Sequence, residues 1–120
     1  MFCSIYVNLT GSNADTHYIA VPYKARVEAI YFTSDGTHAK HASNYFTVSV
    51  KDHSGDTIGS LNTSTGSGVA VAAGVPASIS VDGQYSDIAA AEALQFDVAK
   101  AGSGMDCVGT VTVQLAAARG

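Results

Sequence analysis

The sequence contains no tryptophan, only two cysteines and two prolines, and few charged residues. Charged side chains make up 13% of the 120 residues, about half the usual share in globular proteins. The six basic residues are scattered, whereas binding to a phosphate backbone needs clustered cations, so we expect no nucleic-acid partner. No apolar run approaches the roughly 18 residues that a membrane-spanning helix needs, so we expect no membrane partner either.

Cys3 and Cys107 are too few for a disulfide scaffold, and we expect two small thiols that are buried or half-buried. A disulfide stays open as an alternative. Antiparallel pairing of the two terminal strands would place Cys3 near the end of the last strand and Cys107 near Leu9, which keeps them apart. The N-terminal residues lack the basic region of a signal peptide and alternate in polarity, so we expect a protein made and used without secretion.

The apolar residues that are present favour β-structure. Thirteen valines stand against four leucines, and β-branched side chains suit a pleated surface better than a helix. Alternation of apolar and polar residues recurs along the chain and predicts about eight or nine short strands. In chain order these are residues 3–9, 18–21, 26–33, 46–51, 57–62, 68–72, 77–81, 94–99 and 110–115.

Two segments need separate predictions. Residues 26–33 carry apolar side chains at both odd and even positions, so we expect a central strand that is covered on both faces. Residues 86–93, SDIAAAEA, are the one segment with helical character, enough for one or two turns. We therefore predict one all-β domain over residues 1–120, an antiparallel β-sandwich or jelly roll with one short helical turn, with a closed barrel as the alternative.

Two polar segments could bind metals. His38 and His41, with Asp35 nearby, have the ligand types of a zinc or nickel site, but we favour a solvated polar loop, because no helix aligns them. Asp52 and Asp56 have the spacing of a calcium loop but lack its remaining ligands. A hairpin turn with Gly55 at a positive φ explains residues 52–56 better, and we predict no metal and no cofactor.

Catalytic patterns are also missing. The sequence has no nucleophile elbow, no paired cysteine motif and no phosphate-binding glycine loop. The two glutamates are Glu28, inside a predicted strand, and Glu92, inside the predicted helical turn. We therefore expect no enzymatic activity.

The aromatic residues are the remaining candidates for function. Core packing explains most tyrosines, but exposed tyrosines are enriched at protein interfaces. Tyr6 opposes the apolar face of the first strand, and Tyr18 and Tyr23 flank the first turn. Our candidate interface residues are Phe2, Ile5, Tyr6, Tyr18, Tyr23 and Tyr85.

The order of strands and turns carries a resemblance. A strand ending at Val21-Pro22 is followed by residues 27–36, VEAIYFTSDG, then by residues 72–76, AAGVP, and residues 88–96, IAAAEALQF, before a glycine-rich turn and a last strand. This layout resembles the small β-sandwich head decoration, or cement, proteins of tailed bacteriophages. The resemblance implies a jelly-roll protomer without catalytic residues. It also implies a homotrimer bound to the major capsid protein on the outer head shell, within a virion assembled in the host cytoplasm.

The low charge agrees with such a role, because an uncharged surface can be buried by neighbours without desolvating ions. One alternative is a carbohydrate- or receptor-binding β-sandwich of a phage fibre or tail, using the loops at residues 34–44 and 82–93 and Tyr85. Another is a small structural subunit of a different assembly, such as a tail or a bacterial filament. The first strand could pair with the last strand of its own chain or with a neighbouring subunit.

Overall fold

The structure, a computed structural model, describes residues 2–8, 14–66, 68–101 and 108–117, with residues 2–8 described in their backbone only. Within these ranges the chain forms nine strand segments and no helix. In chain order they are β1 (Phe2–Asn8), β2 (Ala14–Ala20), β3 (Ala25–Ser34), β4 (Tyr45–Lys51), β5 (Thr57–Asn62), β6 (Pro76–Ile79), β7 (Asp87–Ile88), β8 (Ala93–Ala101) and β9 (Val108–Ala117).

The strands form two antiparallel sheets. The first sheet has the order β1-β9-β3-β6, with β7 also paired to β3, and the second sheet has the order β2-β8-β4-β5. Because β6 and β7 pair with successive parts of β3, they are two pieces of one interrupted strand. The chain then follows the strand order of an eight-stranded jelly roll. The prediction of an all-β sandwich is confirmed, and the two sheets remain separate rather than closing into a barrel.

The core lies between the two sheets and is built by alternation along each strand. In β4, β8 and β9 every second side chain is buried, which is the pattern expected of a sheet with one covered face. Phe32 of the first sheet meets Phe46 of the second, with ring centroids 5.7 Å apart and planes inclined by 62°. Such an edge-to-face contact is the arrangement that aromatic rings prefer.

The prediction that β3 is covered on both faces is wrong. The strand is central, since β9 lies on one side of it and β6 and β7 on the other. Its second face is open, however: Arg26 and Glu28 are exposed, and Tyr31 is 36% exposed. A two-layer sandwich buries only one face of each sheet. Tyr31 is therefore an aromatic residue on the exposed face, and it does not indicate a second covered face.

The predicted helical turn at residues 86–93 is also wrong. Residues 87–88 form β7, and Ala91 adopts a left-handed backbone conformation with φ of 66°. Several backbone groups that a helix would use internally bond to distant parts of the chain instead. Val27 N–H donates to the Ser86 carbonyl at 2.9 Å, and Ala91 N–H donates to the Val21 carbonyl at 2.7 Å. An isolated two-turn helix is too weak to compete with these tertiary bonds.

Three further predictions concern local structure. Residues 68–72 do not form a strand, and only Val71 makes a bridge, to His38. Gly55 has a φ of 89°, which confirms the expected turn geometry. The terminal strands pair antiparallel within the chain, with Cys3 opposite Val113. Cys107 lies outside the described residues, so the state of the two thiols stays a prediction.

Candidate interaction surfaces

The outer face of the first sheet carries almost no charge. Strands β1, β6 and β9 contain no charged residue at all, and β3 contains only Arg26 and Glu28, both in its first half. Residues that pair across antiparallel strands share a face, and the buried pair Ile30–Val113 fixes the inner face. We define the uncharged face as the outward residues Ala29, Tyr31, Thr33, Thr110, Thr112 and Gln114.

Charges border the uncharged face at both ends: Arg26 and Glu28 lie in the first half of β3, and exposed Asp35 follows its last residue. Arg26 Nε donates to Asp87 Oδ1 at 3.2 Å, and both side chains are about two-thirds exposed, so this ion pair contributes little to stability. Glu28 is exposed next to the irregularity in the register between β3 and β9. The rest of the face presents hydroxyl, amide, methyl and phenol groups.

The outer face of the second sheet differs, because it holds a charged network centred on Asp97. Lys51 Nζ lies 3.0 Å from Asp97 Oδ2, and Gln95 Nε2 donates to the two carboxylate oxygens at 3.1 and 2.9 Å. Burial raises the pKa of the Asp97 carboxyl, but hydrogen bonds from Gln95, Lys51 and Thr16 together outweigh burial, and the net pKa is lowered. We call Thr16, Lys51, Gln95 and Asp97 the polar cluster.

A third feature is a groove between the two sheets. Strands β5 and β6 are edge strands of different sheets, and between them lies a cavity of about 290 Å³. Its lining is Ser60, Leu61, Asn62, Val69, Ser78, Ile79 and Ser80, none of which is charged. We call this cavity the edge groove.

The predicted interface residues are distributed over different parts of the molecule. Tyr18 is 66% exposed on the outer face of the second sheet, opposite Gln95 in the register. Tyr23 and Tyr85 are partly buried and pack against the core. Phe2, Ile5 and Tyr6 are in β1, where the structure describes only the backbone. The role of all six residues stays a prediction.

The uncharged face and the edge groove were missed from the sequence. For the uncharged face only a partial signal existed: six of the nine predicted strands contain no charged residue, among them 3–9, 77–81 and 110–115. The edge groove left only an indirect signal, the glycine at position 59 inside a predicted strand, because it depends on how two edge strands from different sheets approach each other.

The histidine loop is engaged in local contacts. The His38 ring packs edge-on against Phe46, with ring centroids 5.2 Å apart, and burial lowers its pKa. The Nδ1 atom of His41 accepts hydrogen bonds from the backbone N–H groups of Ser43 and Asn44, at 3.1 and 2.9 Å. Within the described ranges, no three His, Cys, Asp or Glu side chains come together in a group able to hold a metal ion.

The acidic turn at residues 52–56 is also explained by local bonds. Asp52 Oδ1 accepts hydrogen bonds from the backbone N–H groups of Ser54 and Asp56, both at 2.9 Å. This is an Asx-type turn, in agreement with the hairpin interpretation. Glu92 forms an ion pair with His53 at the same end of the molecule, whereas Glu28 stands on the outer face of the first sheet.

Comparisons with known proteins give no relative. No protein-family model matches the chain, and no curated protein or solved structure matches it significantly. In the part of the chain that the structure describes, no helix is long and apolar enough to cross a membrane. The function is therefore inferred from the surfaces of this chain alone.

Proposed function

We propose that the protein is a non-enzymatic structural protein of a virion, a decoration or cement protein that binds the outer head shell as a homotrimer and stabilises it. The partner is the major capsid protein, and no cofactor is needed. Jelly rolls are common in viral capsids, but they also occur in lectins and cupins, so the fold alone does not carry the proposal.

The observation that carries it is the uncharged face of the first sheet. Burying an ion without a partner is costly, and the centres of protein interfaces are depleted of charge and enriched in tyrosine. A face made of Thr33, Thr110, Thr112 and Gln114 around Tyr31 can be covered by a neighbour with hydrogen bonds from its hydroxyl and amide groups. The second sheet, with its charged polar cluster, is the face that suits solvent.

The contact between subunits of the trimer is proposed at the β1 side of the same sheet. Among the described strands β1 pairs only with β9, and we propose that its other edge takes up a strand of a neighbouring subunit. Subunits would then contact each other beside the uncharged face, and the uncharged face itself would contact the head shell.

The experiment compares two matched variants in a shell-binding assay. Thr33 and Thr47 are both half-buried strand threonines, on the outer faces of the first and second sheets respectively. Head shells lacking the protein are incubated with wild type, Thr33→Glu or Thr47→Glu and then sedimented. We expect at least tenfold weaker binding for Thr33→Glu and no change for Thr47→Glu, because one buried unpaired carboxylate costs several kcal/mol. Equal binding by both variants would refute the assignment of the face.

A carbohydrate- or receptor-binding module of a fibre or tail is the second candidate, and one observation favours it. Tyr18 presents an exposed ring opposite Gln95 and on the same outer face as the polar cluster. Aromatic rings and polar side chains that can hydrogen-bond are the groups that recognise sugars. Tyr85 is less suitable than the sequence implied, since it packs against the core. Reproducible glycan-array binding that is lost in Tyr18→Ala would favour this candidate over decoration.

A structural subunit of another assembly, such as a tail or filament, would use the same uncharged face. Imaging distinguishes it from a decoration protein, because the two roles place the chain at different positions in the particle.

A further inference from the structure

The edge groove is bordered on one side by unpaired backbone groups of β5. Thr63 N–H donates to the Phe46 carbonyl at 3.1 Å, which marks this pair as a hydrogen-bonded pair of the β4–β5 ladder. Hydrogen-bonded and non-hydrogen-bonded pairs alternate in an antiparallel ladder. The pair Ser49–Ser60, three positions further along, is therefore of the other kind, and the N–H and C=O of Ser60 point away from β4 into the groove.

The same reasoning applies to β6 on the opposite side. Asp35 N–H donates to the Val108 carbonyl at 2.8 Å, so odd-numbered residues near the end of β3 bond to β9 and even-numbered ones bond to β6. Ala77 and Ile79, opposite Phe32 and Ile30, are consequently the residues of β6 that bond to β3. Ser78 faces the groove with both of its backbone groups.

The chain itself closes the groove at both ends. Asp82 N–H donates to the Ile58 carbonyl at 2.7 Å, and Val69 N–H donates to the Asn62 carbonyl at 2.8 Å. Gly59 approaches Ser80 closely, so the open part of β5 is residues 60–62, about 7 Å of extended strand. With a volume of about 290 Å³, the groove lies at the small end of the range of ligand pockets, roughly 300–1,000 Å³.

The lining combines donors and acceptors with an apolar floor and lacks charge. Asn62 Oδ1 accepts hydrogen bonds from the backbone N–H of Ser64 at 3.1 Å and from its hydroxyl at 2.7 Å, so the amide donor of this lining residue is its Nδ2 group. Serine hydroxyls and the two outward backbone edges add further donors and acceptors. Leu61 and Ile79 supply apolar contact, and Val69 is 45% exposed beside them.

We propose that the edge groove binds one neutral saccharide unit. A sugar ring offers alternating hydroxyl donors and acceptors together with C–H surfaces, and it has no charge that would need a partner in the groove. A long peptide strand would have to pass through the two closing hydrogen bonds, and an ion would find no charged side chain. Ser78 pairs with Tyr31 and so borders the uncharged face, whereas Ser60 belongs to the other sheet. Sugar binding is measured on the chain alone, without shells, so either proposal can fail while the other stands.

The test is an NMR titration of the whole chain with glucose, galactose and N-acetylglucosamine, with glucuronate as the charged comparison. We expect at least one neutral sugar to bind with a Kd in the millimolar range, as is reasonable for so small a site, with shifted amide signals at Ser60 and Ser78. Ser60→Pro removes the outward N–H without breaking a ladder bond, and Ser78→Phe places a ring at the rim; each should weaken binding at least tenfold.

Two control variants make the outcome decisive. Ala99→Phe adds the same ring at an exposed position on β8, which β4 separates from β5, and should bind like wild type. Tyr18→Ala should also bind normally; loss of binding there would place the sugar on the outer face of the second sheet and overturn the proposal. Absence of shifts with every neutral sugar at about 100 mM, equal binding of glucuronate, or binding of short peptides instead of sugars would overturn it as well. Urea unfolding of each variant confirms that the fold is retained.

Discussion

Gly109 of β9 occupies a position where even one added methyl group has no room. It is the register partner of Ser34 on β3. A Cβ atom built on Gly109 would lie 2.5 Å from the Thr33 carbonyl oxygen and 2.8 Å from two carbons of the Phe32 ring. The carbonyl belongs to the central strand and the ring is fully buried in the core, so neither can move at low cost. Gly109→Ala should therefore destabilise the fold.

The magnitude follows from two opposing contributions. Overpacking a core by one carbon typically costs about 1–3 kcal/mol. Replacing glycine by alanine also lowers the conformational entropy of the unfolded chain, which stabilises the folded state by about 0.4–1 kcal/mol. We expect a net loss of about 1–2 kcal/mol, equivalent to a decrease of roughly 4–8 °C in Tm for a domain of this size.

The assay is urea and thermal unfolding followed by circular dichroism, with Gly83→Ala as the matched control. Gly83 lies in the turn between β6 and β7, where an added Cβ would meet nothing within 4 Å and φ is not positive. Gly83→Ala should be neutral or stabilising by up to about 1 kcal/mol. If Gly109→Ala is as stable as Gly83→Ala, the described contact between β3 and β9 is incorrect.

Three other substitutions test local features of the fold. Ala91→Gly should raise stability by about 0.5–1 kcal/mol in urea unfolding, because the left-handed conformation at φ of 66° is strained for alanine; a loss would contradict the turn. The lowered pKa of His38 means that protonation favours the unfolded chain, so wild type should lose stability as the pH falls below about 6.5, and His38→Gln should lose less over the same range. The lowered pKa of Asp97 contributes stability that is present above about pH 4 and lost below it. Asp97→Asn should therefore lose less stability than wild type as the pH falls below about 4. An equal loss in both proteins would refute the polar cluster.

Most strands could be predicted because their alternation is regular. The predicted strand at residues 57–62 coincides with β5, and those at 46–51 and 110–115 lie inside β4 and β9. In β4 and β9 buried and less buried residues alternate, and in β5 the alternation is interrupted only at Ile58 and Gly59, so the apolar positions indicate the buried face. The pairing of β1 with β9 was one of two options that the sequence left open.

The segments that were mispredicted have their conformation fixed by distant parts of the chain. Residues 86–93 have alanines suited to a helix, but Val21 and Val27 take up their backbone groups. Val71, within the expected strand at 68–72, finds a backbone partner only at His38 of a distant loop. Neither partner can be identified from local periodicity.

The two surfaces differ in how far the sequence could reveal them. The lack of charge in strands 77–81 and 110–115 was visible, but their adjacency in one sheet, on both sides of β3, required the topology. The edge groove depends on Gly59, where a Cβ would lie 2.7 Å from the Ser80 carbonyl, since this glycine lets the two edge strands approach. A glycine in a strand indicates such an approach without identifying the partner.

The most direct test of the proposed function is the position of the chain in purified virus particles, determined by electron cryomicroscopy. We expect trimers on the outer surface of the head, with the uncharged face of the first sheet against the major capsid protein and the polar cluster facing solvent. Density for the chain in the tail or a fibre, its absence from the particles, or trimers that contact the shell through the second sheet would contradict this expectation.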